Sequence, residues 1–311
     1  MSLRPTLRLS AVCLLATIVV AISGITNQAS AQTSIVLYQF GSNTGDPLSP
    51  MYPAVLTQGR DGSLYSTAPK GGANGNGAAY RISPSGTFSV VHSFLADKSE
   101  GTNCLSGLNM GRDGNFYGVC QASLSALEGT AYSLNASGTF KLVHAFLGSP
   151  NDGGWVYGAP IQALDNTFYG ATWNGGAGGG LAYKTDASGS GYKVIYDFGK
   201  APGDAFAIYS SFVQGSDKYL YVGAASGAIV KLSTAGKETV LYTLNDPSRG
   251  DGLNLLAGLI QGSDGYFYGC TQMGGIYGYG TVFKVSSKGS FTVLRRFGAI
   301  GSRMDSIATR P

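Results

Sequence analysis

Charge is scarce in this sequence: 21 basic and 17 acidic residues among 311, or 12%, against roughly 25% in an ordinary soluble domain. The balance of +4 sets up no field able to hold a nucleic-acid backbone, which excludes that partner class. Histidine is scarcer still. With only two, neither a histidine-built metal site nor a Ser-His-Asp hydrolase is a leading reading. Of the four cysteines, none has metal-type spacing to a histidine. After the apolar run 9–22 no second one follows, so the mature chain is expected to carry no membrane span. The apolar share of 43% is still enough for a core, which excludes a disordered chain.

Residues 1–31 have the tripartite form of a secretory signal: Arg4 and Arg8, the apolar run 9–22, then Ala29-Ser30-Ala31 as a small-x-small cleavage site. A secreted or periplasmic protein is expected, in a compartment where disulfides persist. Cys104 and Cys120 lie symmetrically about Arg112 near the centre of a hairpin turn, so an antiparallel hairpin should join them in a disulfide. Cys270 has no evident partner and reads as a buried thiol.

Glycine (48 residues) and tyrosine (19) are abundant, and both recur at fixed spacing. Five segments run from an Asp to a Tyr four residues on: Asp61 to Tyr65, Asp113 to Tyr117, Asp165 to Tyr169, Asp217 to Tyr221 and Asp264 to Tyr268. The tyrosines stand 52, 52, 52 and 47 residues apart, and the short step follows from the clipped loop 222–227. Each unit divides into four short strand candidates. An apolar strand a leads through an Asp-Gly-type turn into strand b, which carries the Tyr. A Gly-rich loop precedes strand c, and a Ser-Gly or Lys-Gly turn precedes strand d. Repeats of about 40–50 residues with four strands each are the mark of propeller blades.

Eleven residues before each Tyr stand Ala54, Ser106, Gly158, Ser210 and Ala257. All are small, as strands crowding an axis require. The expected fold is all-β: a β-propeller of five blades, each of four antiparallel strands, forming one domain over 32–298. The repeats fall at about 41–94, 95–146, 147–198, 199–244 and 245–297, followed by a short tail, 299–311. Segment 35–40 also matches strand d, so there are six d-type copies but five a–b–c sets. It either helps to close the ring or lies outside blade 5. A six-bladed or imperfectly closed ring is the alternative.

The unit 258–269, with Gly274-Gly275, Gly280-Thr281-Val282-Phe283-Lys284-Val285 and Thr292-Val293-Leu294, resembles the GloVer tandem repeat of choice-of-anchor bacterial surface and secreted proteins. The likeness extends over 35–298, and the strand layout is similar, more loosely, to NHL-type propeller repeats. What the resemblance implies is an exported repeat protein without an assigned activity.

Candidate site residues follow from the blade layout. Asp46, Glu100, Asp152, Asp204 and Asp251 fall in the d–a loops, on the same upper face as the b–c loops. Five acids there could attract a divalent cation or a polyol, or each could cap its own loop. Trp155 and Trp173 fall near one another on that face, with Tyr277 and Tyr279 in the equivalent loop of blade 5, and exposed aromatic rings can stack on sugars. His92 and His144 share one strand-d position with Tyr196, Tyr242 and Arg295, which marks a packing slot. The expected function is a monomeric, non-catalytic binding scaffold for glycans or an envelope protein, with no cofactor. The alternative is a polysaccharide hydrolase or lyase, for which Glu128 is the general-acid candidate.

Overall fold

The computed structural model describes residues 35–50, 55–121, 128–244, 246 and 249–298. The expected signal, Ala54 and the tail lie outside them. Each of the five four-stranded sheets follows chain order a-b-c-d and is antiparallel throughout. Blade 1 comprises Thr57–Gln58, Leu64–Ala68, Ala78–Ile82 and Phe88–Ser93. Blade 2 comprises Asn109–Met110, Phe116–Cys120, Gly129–Leu134 and Phe140–Phe146. Blade 3 comprises Ile161–Gln162, Phe168–Ala171, Leu181–Thr185 and Lys193–Asp197. Blade 4 comprises Val213–Gln214, Leu220–Gly223, Ala228–Leu232 and Glu238–Thr243. Blade 5 comprises Ile260–Gln261, Phe267–Cys270, Thr281–Val285 and Phe291–Arg296. No α-helix occurs among the described residues. The five sheets form a β-propeller whose ring is not closed by hydrogen bonds.

The Asp-to-Tyr spacing has a local cause. In every blade the Asp carboxylate accepts from the backbone amide two residues on and from the Tyr hydroxyl four residues on. The Tyr–Asp distances are 2.9, 2.8, 2.8, 2.6 and 2.7 Å from blade 1 to blade 5. One oxygen shapes the turn and the other ties strand b to it. Because side chains alternate along a strand, that Tyr and the residue before it face opposite neighbours. Tyr65 accordingly packs on Phe116 and Tyr117 on Phe168, with ring centroids 4.1 and 4.0 Å apart. Tyr221 packs on Phe267 at 3.8 Å. The core is therefore a series of seams between blades.

The outer strands use a second device. Every c–d ladder slips by one residue, leaving Val91, Val143, Ile195, Leu241 and Leu294 without a partner. Such a bulge turns the following side chain out of register. The carbonyls of Val91, Val143, Ile195 and Leu241 then press against Gly138, Gly189, Gly236 and Gly289 in the c–d turn of the next blade, where a Cβ would collide. Positive φ values of 87–92° at these glycines fit the same turns.

Near the axis, Ser106, Gly158 and Ser210 are buried, whereas Ala257 is half-buried. A Cβ on Gly158 would strike the backbone at Ser210, the crowding that small residues there anticipate. A parallel bridge joins Val55 to Gly107 between the first two blades.

Cys104 and Cys120 form the expected disulfide. The a–b ladder of blade 2 pairs Asn109 with Tyr117, so its centre falls at 113 and not at Arg112. Cys104 thus lies beyond the paired part of strand a, and the bridge ties that approach segment to the end of strand b. Cys270, by contrast, is exposed and not buried. Its position is buried as Thr67, Val119 and Ala171 in other blades, where the next blade lies over it. Segment 35–40 makes no ladder among the described residues, because no strand c stands beside it. Residues 37–40 lie against the outer strand of blade 1 instead, where Tyr38 stacks on Phe88 at 3.9 Å.

Candidate functional site

The five upper-face acids serve the seams. In blades 1 to 4 the bulge aims one ring of the outer strand at the next repeat, whose acid receives it, and Tyr38 does the same for Asp46. Tyr38 donates to both oxygens of Asp46, at 2.8 and 2.7 Å. His92 meets Glu100 at 2.8 Å and His144 meets Asp152 at 3.1 Å. Tyr196 donates to Asp204 at 3.1 Å and Tyr242 to Asp251 at 2.9 Å. The Tyr38 hydroxyl is the main reason that the Asp46 carboxyl stays below the usual carboxylate range. These contacts spread the acids over separate outer seams. Among the described residues no three His, Cys, Asp or Glu side chains gather as a metal site would require.

The same rings also stack on a ring at or just before the start of the next outer strand. His92 lies on Phe140, His144 on Tyr192 and Tyr242 on Phe291, at 5.5, 3.5 and 4.0 Å. One seam departs from this. Opposite Tyr196 stands Glu238, whose carboxylate accepts from the Tyr hydroxyl at 2.7 Å. Burial, followed by the hydrogen bond to Asp204, pushes Glu238 up to about 7. The sequence signal was an acid in a slot that is otherwise Phe88, Phe140, Tyr192 and Phe291, and the sequence reading passed over it.

The two tryptophans do come together, with indole centroids 5.3 Å apart and planes inclined by 23°. They occupy a pair of positions that repeats from blade to blade. Trp155 corresponds to Asn103, Ala207 and Asn254; Trp173 corresponds to Gln121, Ala225 and Gln272. A backbone bond from the second residue to the first holds each pair, as in Trp173 N–H to Trp155 carbonyl at 3.2 Å. The first residue is left-handed in all four blades, with φ of 52° at Asn103, 51° at Trp155, 59° at Ala207 and 56° at Asn254. Asn tolerates that conformation, whereas a bulky side chain there stores strain of order 1–2 kcal/mol. Trp155 is 41% exposed, and the Trp173 indole N–H is buried without a partner among the described residues.

Sequence reasoning missed the rest of this cluster. Tyr209 meets Trp173 edge-on at 6.3 Å and Tyr157 at 4.6 Å, while Gln121 donates to the Tyr157 hydroxyl at 2.7 Å. The signal was available: Tyr157 and Tyr209 stand 52 residues apart, where blades 2 and 5 have Leu105 and Leu256. Glu128 borders the cluster. Its carbonyl accepts from Trp155 N–H at 2.6 Å and its carboxylate from Asn174 at 3.3 Å. Tyr277 and Tyr279 are 44% and 54% exposed and make no ring contact with the indoles. The other individual acids are engaged locally, Asp97 by Ser99 and Asp246 by Arg249.

Residues 105–309, well over half the chain, match the Gloeobacter/Verrucomicrobia repeat. The chain belongs to this repeat family. No curated protein sequence matches it. Among solved structures, the extracellular domain of the hybrid two-component system BT3049 from B. thetaiotaomicron aligns over 86% of this chain and 30% of its own. The TM-score is 0.50 and the identity 12%. TolB from Acinetobacter baumannii aligns over 74% of this chain and 50% of its own, with TM-score 0.43 and 14% identity. A GH43 glycoside hydrolase with endo-xylanase and exo-arabinofuranosidase activity aligns over 75% and 50%, with TM-score 0.43 and 11% identity. The chain spans half or less of the length of each of these proteins. At 12% identity the likeness to the BT3049 extracellular domain concerns the fold alone.

Proposed function

We propose that this repeat protein is an exported, non-catalytic binding scaffold that recognises glycans of the cell envelope or its surroundings through the indole pair of blade 3. One observation carries the reading. At a position pair that holds Asn/Gln in blades 2 and 5 and Ala/Ala in blade 4, blade 3 stacks two tryptophans, and it holds the first in a conformation that costs a large side chain free energy. Packing would not ask for this. Trp155 nevertheless stays 41% exposed. An apolar pyranose face fits such a surface, and Asn174, Glu128 and Gln121 supply polar groups at its edge. Export is supported by the disulfide, which persists in oxidising compartments. Over the catalytic alternative, binding is favoured because Glu128 pairs with an amide and not with a second carboxyl across a substrate gap.

Titration with an oligosaccharide panel should change the tryptophan emission, and Trp155→Ala should abolish the response while leaving the far-ultraviolet spectrum intact. Constant emission across the panel would refute the glycan reading. Release of reducing sugar that Glu128→Gln abolishes would replace it with the hydrolase.

A further inference from the structure

The acids of the upper loops have local donors, and Glu128 has the fewest. Asp46, Glu100, Asp152 and Asp204 each accept from a ring and from a backbone amide. Asp197 and Asp246 pair with Lys200 and Arg249. Glu128 receives a single long bond, from Asn174 Nδ2 to Oε2 at 3.3 Å. Among the described residues its Oε1 has no hydrogen-bond partner and is not sealed from solvent, and no Lys, Arg or His forms an ion pair with the carboxylate. In a chain with so few charges, a carboxylate left this open has no evident part in holding the fold.

The local sequence nevertheless makes room for it. The position of Glu128 is Asn76, Gly179, Ser226 and Tyr279 in the other blades, none of them charged. Gly154 stands where the others have Leu48, Thr102, Phe206 and Leu253. A Cβ on Gly154 would lie 2.5 Å from Glu128 Cβ and 2.8 Å from Oε2, so a side chain there would evict the acid. Gly148 leaves the same space on the other side, 2.7 Å from Glu128 Cγ. The residue after Gly154 is Trp155, whose N–H donates to the Glu128 carbonyl at 2.6 Å. The seam between blades 2 and 3 thus departs from the repeat in two ways at one place: it gains an indole pair and an acid set beside that pair.

We infer that the glycan bound at this site carries protonated amines, as a polymer of 2-amino sugars with free amino groups does. The inference rests on the glycan reading above and names the charge of its ligand. An indole face carries the negative side of a quadrupole and attracts a cation more strongly than any other aromatic side chain does. A carboxylate beside it adds a charged acceptor for an ammonium N–H. The sugar ring would lie on the exposed face of Trp155 while its ammonium group takes the open oxygen of Glu128. Acetylation removes that charge, and a uronic acid would set like charge against Glu128.

The test titrates the tryptophan emission of the full protein at about pH 6 with three hexamers: glucosamine, N-acetylglucosamine and galacturonate. The glucosamine hexamer should bind about tenfold more tightly than the acetylated one, which corresponds to about 1.4 kcal/mol. Galacturonate should bind most weakly. In Glu128→Gln, where the charge is gone and an acceptor for Asn174 remains, the glucosamine and N-acetylglucosamine affinities should fall within about twofold of one another. Equal affinities in the unmodified protein overturn the inference and leave the glycan reading standing, as does tighter binding of galacturonate. A preference for glucosamine that survives in Glu128→Gln also overturns it, since the amine is then read elsewhere. Constant emission with all three hexamers and with neutral oligosaccharides ends the glycan reading itself, and the inference with it.

Discussion

Among single residues, Glu238 departs furthest from the repeat. Its aromatic counterparts stack on the preceding ring, whereas Glu238 shares a hydrogen bond with Asp204 under the same Tyr196 hydroxyl. A carboxyl raised from 4.5 to about 7 in the fold binds its proton more tightly when folded than when unfolded. Its contribution to stability is therefore complete below about pH 4.5 and is lost as pH rises through about 7. Asp204, whose burial is outweighed by its hydrogen bonds, is lowered and acts in the opposite sense, losing its contribution only in acid. The expected outcome is that Glu238→Gln, which donates a proton at every pH, removes the decline in melting temperature between pH 5 and 8. At pH 8 it should raise the midpoint by about 3 °C, as about 1 kcal/mol does in a domain of this size. Differential scanning fluorimetry of both proteins at the two pH values decides this. The slot itself was legible in the sequence as an interchangeable ring position, but its partners were not. A ring eight residues ahead of an acid signals a contact only once the bulge that turns it across the seam is known.

Among elements, the paired strands were readable because their turns carry their own chemistry. Asp at the turn and Tyr four residues on form a bonded pair within one hairpin, so the unit is visible without the rest of the chain. The disulfide was readable for the same local reason, although its symmetry about Arg112 came out one residue off the true ladder centre. It closes a loop with a sequence separation of 16 around the inner hairpin of blade 2. Replacing Cys104 and Cys120 by Ala should cost about 3 kcal/mol in urea unfolding, the loop entropy of such a bridge. An equal midpoint for both proteins would show that strand pairing alone holds the segment. Elements whose role depends on an absent neighbour were misread. Segment 35–40 has the composition of a strand but no strand c beside it. Cys270 has the position of a core residue but is exposed.

For the whole molecule, the repeats are equivalent in sequence but not in position. Tyr169 and Tyr268 make the same bond to their turn carboxylates, at 2.8 and 2.7 Å. Tyr169 does so as a buried residue and Tyr268 as a half-buried one. A hydrogen bond from a buried hydroxyl is worth about 1 kcal/mol net, whereas one open to solvent is worth much less. Tyr169→Phe should thus lower stability by about 1 kcal/mol in chemical denaturation. Tyr268→Phe should leave the unfolding midpoint almost unchanged. Equal losses would mean that Tyr268 is as well shielded as Tyr169. Five sheets and their order could be counted from tyrosine spacings, and the small residues at 106, 158 and 210 pointed to an axis. Ring closure was not readable, since it depends on which of two d-type segments takes the slot of blade 1.

The glycines beneath the bulge carbonyls constrain how such a chain can evolve. Wherever a carbonyl from one unit sits where a methyl group would have to go, that position can accept no other amino acid. Changes of length are then small on this edge, a single added residue in the c–d turn of blade 3, and larger on the opposite rim, where the b–c loop of blade 4 is six residues shorter than that of blade 2. Novelty in this lineage should accumulate mainly along that rim.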